Sequence, residues 1–423
     1  MHVATARWQR RALFVLGGVV VGATAVALAA AADQAAFLSR VLLRLDPRLA
    51  WVITPAGFAA CSFLSRRYFP NSGGSGIPQA IAARALRLPE ERGALVSLRM
   101  AAGKTALVLL GLVCGASIGR EGPTVQIGAS IMNAAGRLSP RRQPGLILAG
   151  AAAGVAAAFN TPLAGIVFGI EEMSRSFEVR TSGVIIGGVI AAGITSLALQ
   201  GDYTYFGTTH ETLRGFEGWL AVPLLGVCGG LAGGVFSRVL IWFGNHAPRV
   251  VRAHPVVFAG LCGVAVAACG TASGGVVFGT GYNEARALVQ GTLPAGQGGL
   301  PAAGVWFGAW KFLATLLSSI SFIPGGIFAP SLAVGAGLGA DAALLLPGAP
   351  AQALIVLGMV AYFAGVVQAP ITAFVIVAEM TNDHAMVVPL MLAALIAYGT
   401  SRLVCPEGVY HALARGFLRS SFT

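Results

Sequence analysis

Glu121 stands alone in a long apolar stretch, within Gly119-Arg120-Glu121-Gly122-Pro123. Proline suits the first turn of a helix, where the N–H it lacks would be unpaired in any case. The other first-turn N–H groups point out of the helix end, at the positive pole of its dipole. They form a cradle for a small anion without needing a full positive charge. A carboxylate at such an end is itself an anion and can fill the cradle. Deprotonated, it plugs a path through this point; protonated, it loses its reason to stay and swings out. Proton binding and anion binding then depend on each other. Stabilising its own helix dipole is the plainer role, but an ionisable group in a run this apolar points to function.

The same pattern occurs twice more. Gly326-Ile327-Phe328-Ala329-Pro330 repeats it without charge: Phe328 stands where the first copy has Glu121, and Ile327 where it has Arg120. Gly74-Ser75-Gly76-Ile77-Pro78 adds a hydroxyl donor for the anion, Ser75, and has a counterpart in Gly279-Thr280-Gly281-Tyr282-Asn283. The spacing marks a duplication. The only two lysines, Lys104 and Lys311, each lie fifteen residues before the glycine that opens a motif, Gly119 and Gly326. The offset between copies is 207 there and 205 upstream. It is 208 from Pro162 to Pro370, each followed nine residues later by a glutamate, Glu171 and Glu379. Glu172 has no such twin. A buried carboxylate there can relay protons from the side opposite Glu121; an interfacial helix end, or a pair with Arg175, is the alternative for Glu171 and Glu172. Lys104 and Lys311 either add positive potential to the path or run out to the interface on their apolar stems. Tyr410 follows the last apolar stretch, where a tyrosine is usually an interfacial anchor.

The elements that must hold these groups follow from composition. The 423 residues are 56% hydrophobic and 10% charged, with mean hydropathy +0.77. So few charges cannot cover a soluble protein of this length, so the chain is read as an integral membrane protein. Lipid demands helices or a closed barrel, and barrel strands would alternate polar and apolar residues. Apolar stretches instead run continuously, at roughly 12–32, 50–64, 94–118, 123–136, 145–170, 183–200, 219–243, 255–278, 302–323, 327–346, 352–378 and 385–404. No polar block stands apart. Residues 1–423 read as one membrane domain, with approximate halves 12–200 and 219–410 joined by a polar linker, 201–218. Several stretches are too short, or too broken by Gly and Pro, to cross a ~30 Å core alone. Broken helices survive at membrane depth only where the freed backbone is buried in protein or lines a cavity. The breaks coincide with the duplicated motifs, as expected of a transporter whose cargo binds where two related halves meet. Tight helix packing explains the glycines but not the polar residues set among them.

The formal charge of +12 comes from arginines in short clusters between apolar runs, a topology signal rather than a nucleic-acid surface. Arg7, Arg10 and Arg11 place the N-terminus in the cytoplasm; Arg402, Arg415 and Arg419 place the C-terminus there too. The run from Ala12 to Ala32 exceeds the ~7–15 residues of a signal-peptide core and is read as a retained helix. The six cysteines show no paired spacing and read as small buried side chains rather than disulfides or metal ligands. No cofactor is implied.

The three motifs, in this order and over nearly the whole chain, resemble the selectivity-filter signatures of the CLC chloride channel and transporter family. The resemblance implies an all-α polytopic membrane protein with an inverted-topology repeat of tilted and broken helices. It also implies a homodimer with one pathway per subunit. Ser75, with Gly76 beside it, and Tyr410 would offer side-chain oxygens to the central anion, and backbone N–H groups near Ile327 and Phe328 would complete its site. Gly74, Pro78, Gly119, Arg120, Gly122, Pro123, Gly326, Ala329, Pro330 and Lys104 would frame it. Glu121 looks like the external gating glutamate, and Glu172 like the internal proton glutamate of the exchangers. The expected function is secondary active chloride/proton antiport in a cell membrane, bacterial inner membrane by type. A passive chloride channel of the same fold is the alternative, although family channels usually lack a carboxylate at the Glu172 position. Serine at Ser75 goes with chloride, where proline goes with nitrate. Family members often carry acidic residues after the first signature; here Gln79, Ala80 and Ile81 stand there. Thirteen residues follow Tyr410, too few for the tandem cytoplasmic regulatory domains of many eukaryotic members. An intramembrane serine protease is the remote alternative. Gly73-Gly74-Ser75-Gly76 fits a nucleophile turn, which needs a histidine base facing it, and His210, His246, His254, His384 and His411 fall mostly at span ends or in linkers.

Overall fold

A computed structural model describes residues 2–137, 143–174, 179–201, 203–209, 211–213, 215–292 and 306–420. Arg175, Asp202, His210 and Arg214 lie outside the described residues, as do the side chains of Arg7, Arg10, Arg11 and Arg419. The first half comprises α1 (His2–Leu45), α2 (Ala50–Tyr68), α3 (Ile77–Ala85), α4 (Pro89–Leu95), α5 (Leu98–Val113), α6 (Glu121–Gly136), α7 (Gln143–Phe159), α8 (Pro162–Phe168) and α9 (Val179–Gln200). The second comprises α10 (Gly215–His246), α11 (Arg249–Ala253), α12 (Pro255–Ala272), α13 (Tyr282–Val289), α14 (Phe307–Ile320), α15 (Phe328–Leu345), α16 (Ala351–Val367), α17 (Pro370–Thr381), α18 (Val387–Val404) and α19 (Val409–Ser420). Eight helical spans among the described residues are long and apolar enough to cross a membrane.

Helix starts repeat the offsets found in the sequence: α3 pairs with α13, α6 with α15, and α8 with α17. The apolar runs 145–170 and 352–378 each prove to be two helices. They break at Asn160 and Gln368, both in the left-handed region with φ 55 and 59. The run 12–32 continues as helix to Leu45, because nothing stops it before Asp46-Pro47, where Asp46 accepts the Arg48 N–H at 2.8 Å. Five cysteines are buried and Cys228 is exposed.

The two lysines bear the duplication out in three dimensions. Lys104 Nζ donates to the carbonyls of Ser72 and Gly74 at 2.7 and 2.6 Å. Lys311 Nζ donates to Val277 and Gly279, the counterparts at offset 205, at 2.8 and 2.7 Å. Both are fully buried, so neither runs out to the interface. Each pins the Gly-rich turn before a short helix, exchanging the cost of burying an ammonium for charge-assisted hydrogen bonds. On the line relating the halves, Gly119 and Gly326 exchange N–H···O bonds of 2.7 Å in both directions as an antiparallel pair. Reciprocal bonds of this kind relate the two copies by a local twofold, as an inverted repeat requires. That is the inverted repeat seen at its axis.

Candidate functional site

Three helix ends meet beside this axis. Gly74 bonds Ile323 and Gly325 through its N–H and carbonyl, at 3.2 and 3.1 Å, tying the turn before α3 to the turn before α15. Gly76, with φ 105, lets α3 start hard against Gly122 of α6, where an added Cβ would strike the Gly122 carbonyl. A side chain at 122 would likewise run into Ser75 Oγ. None of the residues that open these helices, Gly76, Arg120 and Ile327, caps its helix with a side chain. The first-turn N–H groups are therefore left for something else.

Glu121 is the first residue of α6, and its duplicate Phe328 the first of α15. The Glu121 side chain is fully buried, not turned to lipid. Its carboxylate turns toward its own N–H and that of Ala329, one residue inside α15, and Oε1 accepts from Tyr205 Oη at 3.3 Å. The Glu121 side chain thus stands over the N-terminal end of the opposite repeat's helix. Ser75 Oγ and Tyr410 Oη face each other close by. Both oxygens are buried, and neither finds a partner in the protein apart from the other. Buried hydroxyls are seldom left so, and these two sit where a small anion would accept from both. Tyr410 is fully buried, which overturns the interfacial anchor. Its ring packs edge-on to Phe328 at 6.0 Å, and Phe328 packs on Phe159 and Phe363 at 6.1 and 4.8 Å. The uncharged motif copy supplies an aromatic wall around the polar cradle.

Arg120 points away from this centre, donating to the Ala29 carbonyl at 2.6 Å and to Asp33 Oδ1 at 2.7 Å, which ties α6 to α1. Gln79, where the family often has an acid, is buried and donates to Gly73 and Asn71 carbonyls at 2.6 and 3.0 Å, bracing the Ser75 turn. Ser75 has no described histidine bonded to it; His411 is bonded to Glu172.

Glu171 and Glu172 part company in a π-helical turn, Gly169–Ser174. Such turns recur at functional sites because they change which way adjacent side chains face. Glu171 accepts the Ile371 and Thr372 N–H groups at 3.1 and 2.6 Å, closing the N-terminus of α17. Glu379 does the same for α8, accepting from Leu163 and Ala164 at 3.0 and 2.7 Å. Two proline-led helix ends are thus sealed by fixed carboxylates, and three are left to the centre. Glu172 is buried, lies near Tyr410, and sits beside a cavity of about 610 Å³. Tyr205 carries no motif. It lies in the stretch read as a linker, where Tyr205 and Phe206 are buried.

Residues 56–402 match the family described as voltage gated chloride channel. The chain belongs to this family, the CLC proteins. Among CLC relatives, the H(+)/Cl(-) exchange transporter ClcA of Yersinia pestis bv. Antiqua (strain Angola) is 32% identical over 377 residues, covering 83% of this chain and 74% of that one. ClcA of Salmonella paratyphi A is 30% identical over 389 residues, covering 87% and 77%. The fold is similar to a slow cyanobacterial Cl⁻/H⁺ antiporter, with TM-score 0.80, 26% identity, and 97% and 98% of the two chains covered. It is also similar to a CLC-type fluoride/proton antiporter, with TM-score 0.78 at 23% identity over 95% and 96% of the chains, a likeness of fold alone.

Proposed function

We infer that this CLC chain is a secondary active antiporter that exchanges chloride for protons across a membrane. The observation that carries the reading is the Glu121 carboxylate at the N-terminus of α15, beside the Ser75 and Tyr410 hydroxyls, which have no partner in the protein but each other. One cradle of backbone N–H groups and hydroxyls serves two negative occupants in turn. Chloride displaces Glu121, and protonation of Glu121 releases it, so each ion's passage requires the other's. In this reading Ser75 and Tyr410 hold the central anion, with N–H groups at Gly76, Ile327 and Phe328 around it. Glu121 is the outer gate, and Glu172 takes protons on the other side. The antiport activity in the names of the ClcA relatives supports chloride and protons as the cargo.

The chain works as one membrane unit with halves 12–200 and 219–410. The flanking arginines support both termini being cytoplasmic, and the bacterial ClcA relatives support an inner membrane location. It pairs as a homodimer with one pathway per subunit. In support, α8 has seven residues, too few to face lipid across the core, and carries the exposed Leu163. Its twin α17 carries the exposed Ile371. A second copy would cover both.

The test is proton movement driven by a chloride gradient in proteoliposomes. Glu121→Gln is expected to pass chloride without proton coupling and without response to pH. Glu172→Gln is expected to pass chloride with no proton movement. A parent that moves chloride but no protons would be a channel of the same fold.

A further inference from the structure

We propose that His411 carries protons between the polar cavity and Glu172. The proposal rests on Glu172 being the inner proton carrier and adds the step that connects it to water.

His411 directly follows Tyr410 at the start of α19, so one helix end presents a phenol to the anion centre and an imidazole to Glu172. His411 Nε2 lies 2.6 Å from the Glu172 carbonyl oxygen and 3.8 Å from its Oε1. A carbonyl oxygen only accepts, so Nε2 bears a hydrogen and Nδ1 is the basic nitrogen of the neutral ring. The Glu172 side chain is 3% exposed and that of His411 24%, so the imidazole reaches water that the carboxylate does not. Both line the cavity of about 610 Å³, and His411 also borders a second one on the α3 side.

Among the described residues, the charged and titratable groups around His411 come from several elements. Glu171 is occupied by the N–H groups of α17. Glu407 is paired with Arg415. Arg84 of α3 donates to the Met173 and Ser174 carbonyls. Arg402 takes a hydrogen bond partner in Tyr398 at 3.0 Å. Among the described residues, Glu172 Oε1 stands 3.8 Å from the ring.

Histidine is the side chain whose ordinary titration spans pH 5 to 8. In the inward-to-outward step, a proton from cavity water adds to Nδ1. A small rotation of the carboxylate closes the gap, the Nε2–H bond breaks, and an O–H bond forms on Glu172 Oε1. The ring is left neutral as the other tautomer, and its rotation or exchange with water resets it. No charge is created or lost overall, and the same steps run backwards for release.

The test uses the full chain in proteoliposomes, with chloride and proton fluxes read together. Chloride flux shows that each variant is folded. His411→Gln keeps an N–H for the Glu172 carbonyl but cannot take up a proton. Its proton flux is expected to fall on the order of ten-fold or more, with chloride flux retained. In His411→Ala, added imidazole is expected to restore part of the proton flux, which a merely structural histidine would not allow. Should the Gln variant fail to fold, imidazole rescue of the Ala variant decides. Full coupling in His411→Gln, or no rescue in His411→Ala, would overturn the proposal and leave Glu172 untouched. Unchanged coupling in Glu172→Gln would reject the inner-carboxylate reading itself, and the role of His411 with it.

Discussion

At the scale of single residues, the gate is a contest over one carboxylate. Tyr205 Oη holds Glu121 in the cradle from one side, and the α15 dipole from the other. A hydrogen bond to a charged acceptor is worth roughly 1.5–3 kcal/mol, so removing it should favour the displaced carboxylate. Tyr205→Phe is expected to raise chloride turnover by about ten-fold or more, converted at 1.4 kcal/mol per decade, with coupling retained. Stopped-flow chloride efflux would measure this, and slower turnover would contradict it. Glu121 and Ser75 were legible in the sequence because a polar group amid Gly, Pro and apolar residues has few cheap explanations. Tyr205 was not. It contacts Glu121 across 84 residues, from a polar stretch where a tyrosine reads as an anchor. His411 was equally hidden, since only its distance to Glu172 gives it meaning.

Among the helices, the division of labour follows how their ends are closed. Prolines open α8 and α17, and the carboxylate that seals each is borne by the other repeat. Glu171→Gln and Glu379→Gln are each expected to cost on the order of 1 kcal/mol of stability, as lost helix caps do. Both should lower the melting temperature in detergent and leave the proton-to-chloride ratio intact. A change of ratio in Glu171→Gln would show that the adjacent glutamates share the proton work. The duplication paired Glu171 with Glu379 from spacing alone, yet it could not say that they are caps. Nor could it foresee the π-helical turn, which depends on packing rather than local sequence and sends Glu171 and Glu172 to different neighbours. The breaks before α3, α6 and α15, by contrast, were readable from Gly and Pro, because lipid forbids an unpaired backbone elsewhere.

For the whole molecule, inverted halves account for both the shape and the asymmetry of the site. Repetition supplies opposed helix ends; one departure among them, glutamate against phenylalanine, makes one of them a gate. Native mass spectrometry of detergent-solubilised protein is expected to report twice the chain mass, and a strictly monomeric species would reject the dimer. The exchanged caps also bear on biosynthesis. A ribosome makes α8 long before the group that closes it, since Leu163 and Glu379 are 216 residues apart. Until then the nascent first half sits in the bilayer with bare amides, and the insertion machinery must shelter it. Neither half should mature when made alone, whereas two halves made together in one cell should find each other and complete the missing bonds.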